Sequence, residues 1–147
     1  MQIELLADRP EFVSLLAAWH QAEWASLRPG FTLEDRVAKL RGACGRAQPP
    51  VVFVASEGER LLGSAMLLAQ DMDTRPELTP WLGGVFTAPE VRGKGVARAL
   101  IDAVAEAARA HGASKYYWQT RDTNLAARAL YDKVARHKGF IRYDYPL

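Results

Sequence analysis

The sequence predicts an α/β fold, one mixed sheet with helices on both faces. Three observations carry this. Short β-branched and aromatic runs recur as strand candidates. Stretches with apolar residues at helical spacing separate several of them. Helices alternate with strands only in the second half, so the sheet is not wholly parallel. The predicted order is β-α-α-β-β-β-α-β-α-β. With 147 residues the chain is long enough for one domain, residues 1–147, with a sizeable core.

Residues 3–6 (IELL) form the first strand candidate. Asp8, Pro10 and Glu11 then announce a helix start: a capping residue, a first-turn proline and an acid three residues after the cap. Phe12, Leu15, Leu16 and Trp19 follow at helical spacing, and Pro29-Gly30 stops the helix. Thr32 caps a second helix with Leu33, Val37 and Leu40 on one face and Gly42 near its end. Residues 51–55 and 61–68 read as a hairpin turning at Glu57-Gly58. A polar loop, AQDMDTRPELTP, leads to an extended run, WLGGVFT, at 81–87. Behind the glycines that follow, Val96, Leu100, Ala103, Val104 and Ala107 make one apolar stripe, and His111-Gly112 ends the helix. Residues 115–120 (KYYWQT) are strand-like. Asp122 or Thr123 caps a last helix with Ala127, Leu130, Tyr131 and Val134 inward, and Gly139 opens a final strand at 140–145.

Composition is that of a soluble globular protein, 49% hydrophobic and 24% charged. A net charge of +2, spread along the chain, gives no reason to expect nucleic acid or an anionic membrane as partner. The single cysteine, Cys44, excludes an intramolecular disulfide and a cysteine metal cluster. A reduced, cytoplasmic setting is expected. The start, MQIELLADRPEF, has neither a basic n-region nor a long apolar h-region, so no secretory signal is expected. No apolar run approaches the roughly 20 residues of a membrane span.

The stretch TAPEVRGKGVARALI, residues 87–101, raises the functional question. Glycine costs about 0.5–1 kcal/mol where the chain must be ordered, yet Gly93 and Gly95 stand together in a basic loop before a helix. Free N–H groups at a helix start, glycines that admit close approach, and Arg92, Lys94 and Arg98 make an anion site. The bland alternative is a strand-to-helix turn with solvated charges. A dinucleotide fingerprint fails because Arg98 stands where Gly or Ala belongs. A P-loop fails because Lys94 precedes Gly95, not Ser or Thr, and no glycine lies five residues before Gly93.

Arg92-Gly93-Lys94-Gly95-Val96-Ala97 matches Q/R-x-x-G-x-G/A and resembles the pyrophosphate loop of the GCN5-related N-acetyltransferase (GNAT) family. Asn124, Ala127, Leu130 and Tyr131, as N-x-x-A-x-x-L-Y, resemble that family's next helix, and GFIRYDYPL resembles its closing strand. TRPELTPWL and AEWASLRPGFTLEDR resemble segments of one bacterial subgroup. The resemblance covers most of the chain. It implies a GNAT-type acyl-CoA N-acyltransferase fold, a mixed, mostly antiparallel sheet with a splayed central strand pair. It also implies transfer of acetyl from acetyl-CoA to a primary amine of a small molecule or peptide, with no metal. A homodimer is compatible with it. Backbone amides of Gly93, Lys94, Gly95, Val96, Ala97 and Arg98, with Arg92, would hold pyrophosphate. Val85, Phe86 and Thr87 would pair with the pantetheine arm, an N–H near Val85 would face the thioester oxygen, and Asn124 would touch the cofactor. Tyr131 would protonate the leaving thiolate. An acyl-CoA-binding sensor or regulatory module with little turnover is the alternative.

Two positions depart from the family pattern. Gln119 stands where some relatives carry a glutamate base, five residues ahead of the Asn. Glu23, Asp71, Asp73, Glu77, His20 or a water are the other candidates for that proton, and the acids suggest a cleft for a cationic amine. Residues 135–138 add an extra helical turn or a longer loop, whose Arg136 and Lys138 read as a solvated cluster or as contacts to the 3′-phosphate. Trp24 and Trp81 border the expected acceptor cleft. Cys44 reads as a structural thiol.

Overall fold

The structure, a computed structural model, describes residues 1–137. The predicted final strand, with Gly139, and Lys138 lie outside the described residues. Four strands run in the order β1 (Gln2–Leu5), β2 (Val51–Glu57), β3 (Arg60–Leu68) and β4 (Trp81–Thr87), each antiparallel to its neighbour. Gly58, at φ +60°, makes the β2–β3 turn. Alternating residues send β2 to two cores. Val51 and Ala55 join Leu62, Leu67 and Leu82 beneath α3 (Val96–Ala110). Val52 and Val54 join Leu61 and Met66 beneath α1 (Val13–Trp24) and α2 (Leu33–Gly42). Helices therefore cover both faces, as expected.

Local details differ from expectation for physical reasons. Asp8 caps no helix. The chain makes two 3-10 turns, Leu6–Asp8 and Pro10–Phe12, before α1 begins. Arg9 pins them by bonding Glu4, Glu11 and the Gly58 carbonyl at 2.6–2.7 Å, and Asp8 pairs with Arg46 instead. Leu15 faces solvent, and His20 takes a buried place on α1. Thr32 does cap α2, as half of a capping box with Asp35. Leu33 is exposed, while Arg36 joins Leu40 among the buried residues of α2. The α3 stripe buries Val96, Leu100 and Val104 as expected, with Ile101, Ala105 and Ala108 beside them.

The predicted strand at 115–120 is not one. It makes a single parallel bridge to β4, with Tyr117 N–H donating to the Pro80 carbonyl and Leu82 N–H donating to the Tyr117 carbonyl. The helix after it, α4 (Leu125–Val134), has Asn124 rather than Asp122 or Thr123 at its N-cap position. It ends at Val134, so residues 135–137 extend the loop and add no helical turn.

Close strand packing at Gly63 gives a first expected outcome. A Cβ there would lie 2.4 Å from the Phe86 carbonyl oxygen and 3.3 Å from Val96. Gly63→Ala is expected to destabilise the fold by about 1–3 kcal/mol by forcing β3 and β4 apart. Thermal melting checks this; an unchanged midpoint would mean the pair has slack.

Candidate active site

β4 carries an extra residue. Ser64 pairs with Phe86 and Met66 with Gly83, so two steps on β3 meet three on β4. The bulge falls at Gly84 and Val85, with Gly84 at φ +57°. No larger residue fits easily: a Cβ on Gly84 would lie 2.7 Å from the Met66 sulfur. The Ser64 hydroxyl donates to the Gly84 carbonyl at 2.9 Å, and His20 Nε2 lies 2.9 Å from that hydroxyl. Both side chains are buried. Because Ser64 spends its proton on Gly84, His20 must donate Nε2–H to Ser64. Burial is the main cause holding its pKa down to about 3, with the charges of Arg36 and Lys39 adding to it, so the ring is neutral.

A bulged strand bends, and here β4 parts from residues 118–120 after the single bridge at Tyr117. The gap opens as a cleft of about 300 Å³. Gly83, Gly84 and Val85 form one wall; Trp118, Gln119, Asn124 and Tyr131 face them. Trp118 and Tyr131 stack edge to face at 5.4 Å. Burial pushes the Tyr131 phenol above its ordinary value. Asn124 donates to Thr120 Oγ1 at 2.9 Å.

Beyond Thr87 the chain makes a short turn, and Arg92 Nε donates back to the Thr87 carbonyl. Gly93 and Gly95 then adopt φ +76° and +83°. A Cβ on either would meet nothing within 4 Å. These glycines are present for backbone conformation, not for packing room. Backbone N–H groups of Gly93, Lys94, Gly95, Val96, Ala97 and Arg98 donate to no protein acceptor among the described residues; the first α3 bond runs from Ala99 to Gly95. Six consecutive free donors at a helix N-terminus make an anion cradle. The Arg98 side chain is turned to Asp102 at 2.9 Å.

Of the expected proton acceptors, the cleft brings in Asp71 and His20. Glu23, Asp73 and Glu77 do not line it, and Glu77 is paired with Arg75. Burial raises the Asp71 carboxyl above its ordinary range, against the opposing pull of Gln119 and Lys39. Gln119 lies 3.5 Å from that carboxylate. Trp24 lines the cleft; Trp81 is buried and donates its indole N–H to the Leu78 carbonyl. Cys44 donates to the Leu40 carbonyl, as a structural thiol does.

The expectation of an acidic cleft needs correction. Arg36 and Lys39 share the lining with Asp71. Sequence reading missed both cations. The available signal was that Arg36 stands four residues before Leu40, on the helix face that packs inward. Among the described residues no group of His, Cys, Asp and Glu is placed to hold a metal, and no helix is long and apolar enough to cross a membrane.

A family model described as the acetyltransferase (GNAT) family matches residues 15–135. N-alpha-acetyltransferase 30 of Schizosaccharomyces pombe is 30% identical over 95 residues, 65% of this chain. The match spans 60% of that protein's own length. Aminoglycoside N-acetyltransferase AAC(6')-Iy, solved with CoA, superposes with a TM-score of 0.77 at 18% identity, covering 99% of this chain and 93% of that one. Ribosomal-protein-alanine N-acetyltransferase of Brucella melitensis superposes at 0.66 and 24% identity over the whole of both chains.

Proposed function

Because the chain belongs to the GNAT acetyltransferase family, we propose that it transfers acetyl directly from acetyl-CoA to a primary amine. One observation carries this reading: the bulged β4, Asn124 and Tyr131 border one cleft, and the strand that lines it leads into a cradle of six free N–H groups. The cradle fits a pyrophosphate in charge and donor number. Acetyl-CoA supplies the acetyl group as a thioester whose sulfur leaves as thiolate. The N–H groups of residues 93–98, with Arg92, hold the pyrophosphate. The β4 backbone at Val85, Phe86 and Thr87 pairs with the pantetheine arm, and Asn124 steadies it from α4. The N–H beside Val85, freed from the ladder by the bulge, donates to the carbonyl oxygen as it gains charge. Tyr131 donates its proton to the leaving sulfur. Asp71 accepts the proton that an ammonium acceptor must lose; its raised pKa makes it a better base than an ordinary carboxylate. His20, with a pKa of about 3, is a poorer one.

Calorimetric titration with acetyl-CoA and CoA, followed by thiol release over an amine panel, tests the reading. Saturable binding with amine-dependent release is expected. Arg92→Glu is expected to weaken acetyl-CoA binding by at least about tenfold, as loss of a charge-assisted bond of about 1.5–3 kcal/mol implies. Unchanged affinity in the folded variant would overturn the cradle assignment. Binding with no release from any amine would favour a sensor.

A further inference from the structure

We propose, building on that acetyltransferase reading, that the acceptor is a small amine carrying an oxyanion, carboxylate or phosphate, which Arg36 and Lys39 bind at the α2 side of the cleft. Arg36 is 6% exposed, yet its Nη2 has no hydrogen-bond partner among the described residues. Arginine does not escape burial by losing its proton. A buried guanidinium without a counter-charge is strongly unfavourable, and no carboxylate pairs with Arg36 among the described residues. The side chain is nonetheless held in place. Its Nε donates to Gln21 Oε1 at 3.2 Å, Gln21 donates in turn to the Phe31 carbonyl at 2.8 Å, and the Phe31 ring lies 4.9 Å from the guanidinium. Arg36 lines the cleft with its guanidinium fixed at Nε and Nη2 left without a partner, the arrangement of an anion receptor.

Lys39, on the next turn of α2, lines the same cleft. Burial and the charges of Arg28 and Arg36 work against its ammonium, with Asp71 offsetting them in part, and an anion between Lys39 and Arg36 would favour the charged form further. Asp71 is the one carboxylate lining the cleft among the described residues. It is sited to face the amine end of the acceptor, leaving Arg36 and Lys39 for the anionic end. With part of the cleft's roughly 300 Å³ taken by the end of acetyl-CoA, the α2 side has room only for a small acceptor.

The test compares three acceptors of equal length: an amine with a carboxylate, one with a phosphate, and one with a neutral amide. Thiol release by the full chain with acetyl-CoA gives kcat/KM for each. At least one anionic acceptor should exceed the amide by tenfold or more, and which one identifies the oxyanion. In Arg36→Gln that ratio should collapse toward one. Lys39→Gln, at an exposed position, should lower it part way. Thermal shift of the CoA-loaded protein by the same three compounds reads the preference without turnover. Equal use of all three by the wild type, or a preference that survives in both variants, overturns the proposal. Failure of acetyl-CoA to bind is a different result, which strikes the acetyltransferase reading itself and the acceptor site with it.

Discussion

Tyr131→Phe is expected to lower turnover by about 10²–10⁴-fold, the usual worth of a positioned acid, while acetyl-CoA binds with similar affinity. The variant keeps the ring that packs against Trp118 and loses only the hydroxyl. Burial, the sole cause acting on this phenol, raises its pKa, so it stays protonated throughout the neutral range. The defect should therefore be largest at neutral pH. It should shrink above about pH 8.5, where a simple thiol leaves as thiolate without help. Thiol release measured across pH for both proteins checks this. Full activity at every pH would reduce Tyr131 to a wall of the cleft.

Legibility in the sequence followed the range of the interactions involved. Elements set by neighbours along the chain were readable. The Thr32 capping box, the Gly58 hairpin, β4 and α3 all stand where local pattern places them. The glycine loop was readable for the same reason, since two positive-φ residues before a helix leave a local signature. Features decided by distant partners were hidden. Arg9 holds the chain off helical geometry through Glu4 and Gly58, neither of which is a helical neighbour. Residues 115–120 have strand composition, but the Gly84 bulge on another strand ends their pairing at one bridge. The cleft's charge was misread because polarity in a loop says nothing of direction. Of four acids named there, Asp71 alone lines the cleft, while Arg36 and Lys39 arrive from α2. The bulge itself had one cue, a Gly83-Gly84 pair inside a strand, which marks a site of irregular pairing.

His20 should make stability fall on the acid side of pH 6.5. The folded pKa of about 3 lies below the ordinary value of 6.5, so the unfolded chain takes up a proton that the folded chain refuses. The stability from this group is therefore complete above pH 6.5 and is lost progressively as pH falls toward 3, by about 1.4 kcal/mol per unit and on the order of 5 kcal/mol in all. Between pH 6.5 and 5 most carboxylates are still ionised, and the slope there reports imidazole. Denaturant melts through that window should show a decline that His20→Gln largely removes, even where the variant starts from lower stability. The refusal of the proton has a structural cause that bears on the site. His20 is enclosed between Trp24 and Phe86 and spends its one N–H on Ser64, whose own proton fixes the Gly84 carbonyl. A second proton on the ring would find no protein acceptor among the described residues. The neutral tautomer and the bulge thus support one another. An equal slope in wild type and His20→Gln would mean that the imidazole charges freely in the folded chain, and the bulge would then need another anchor.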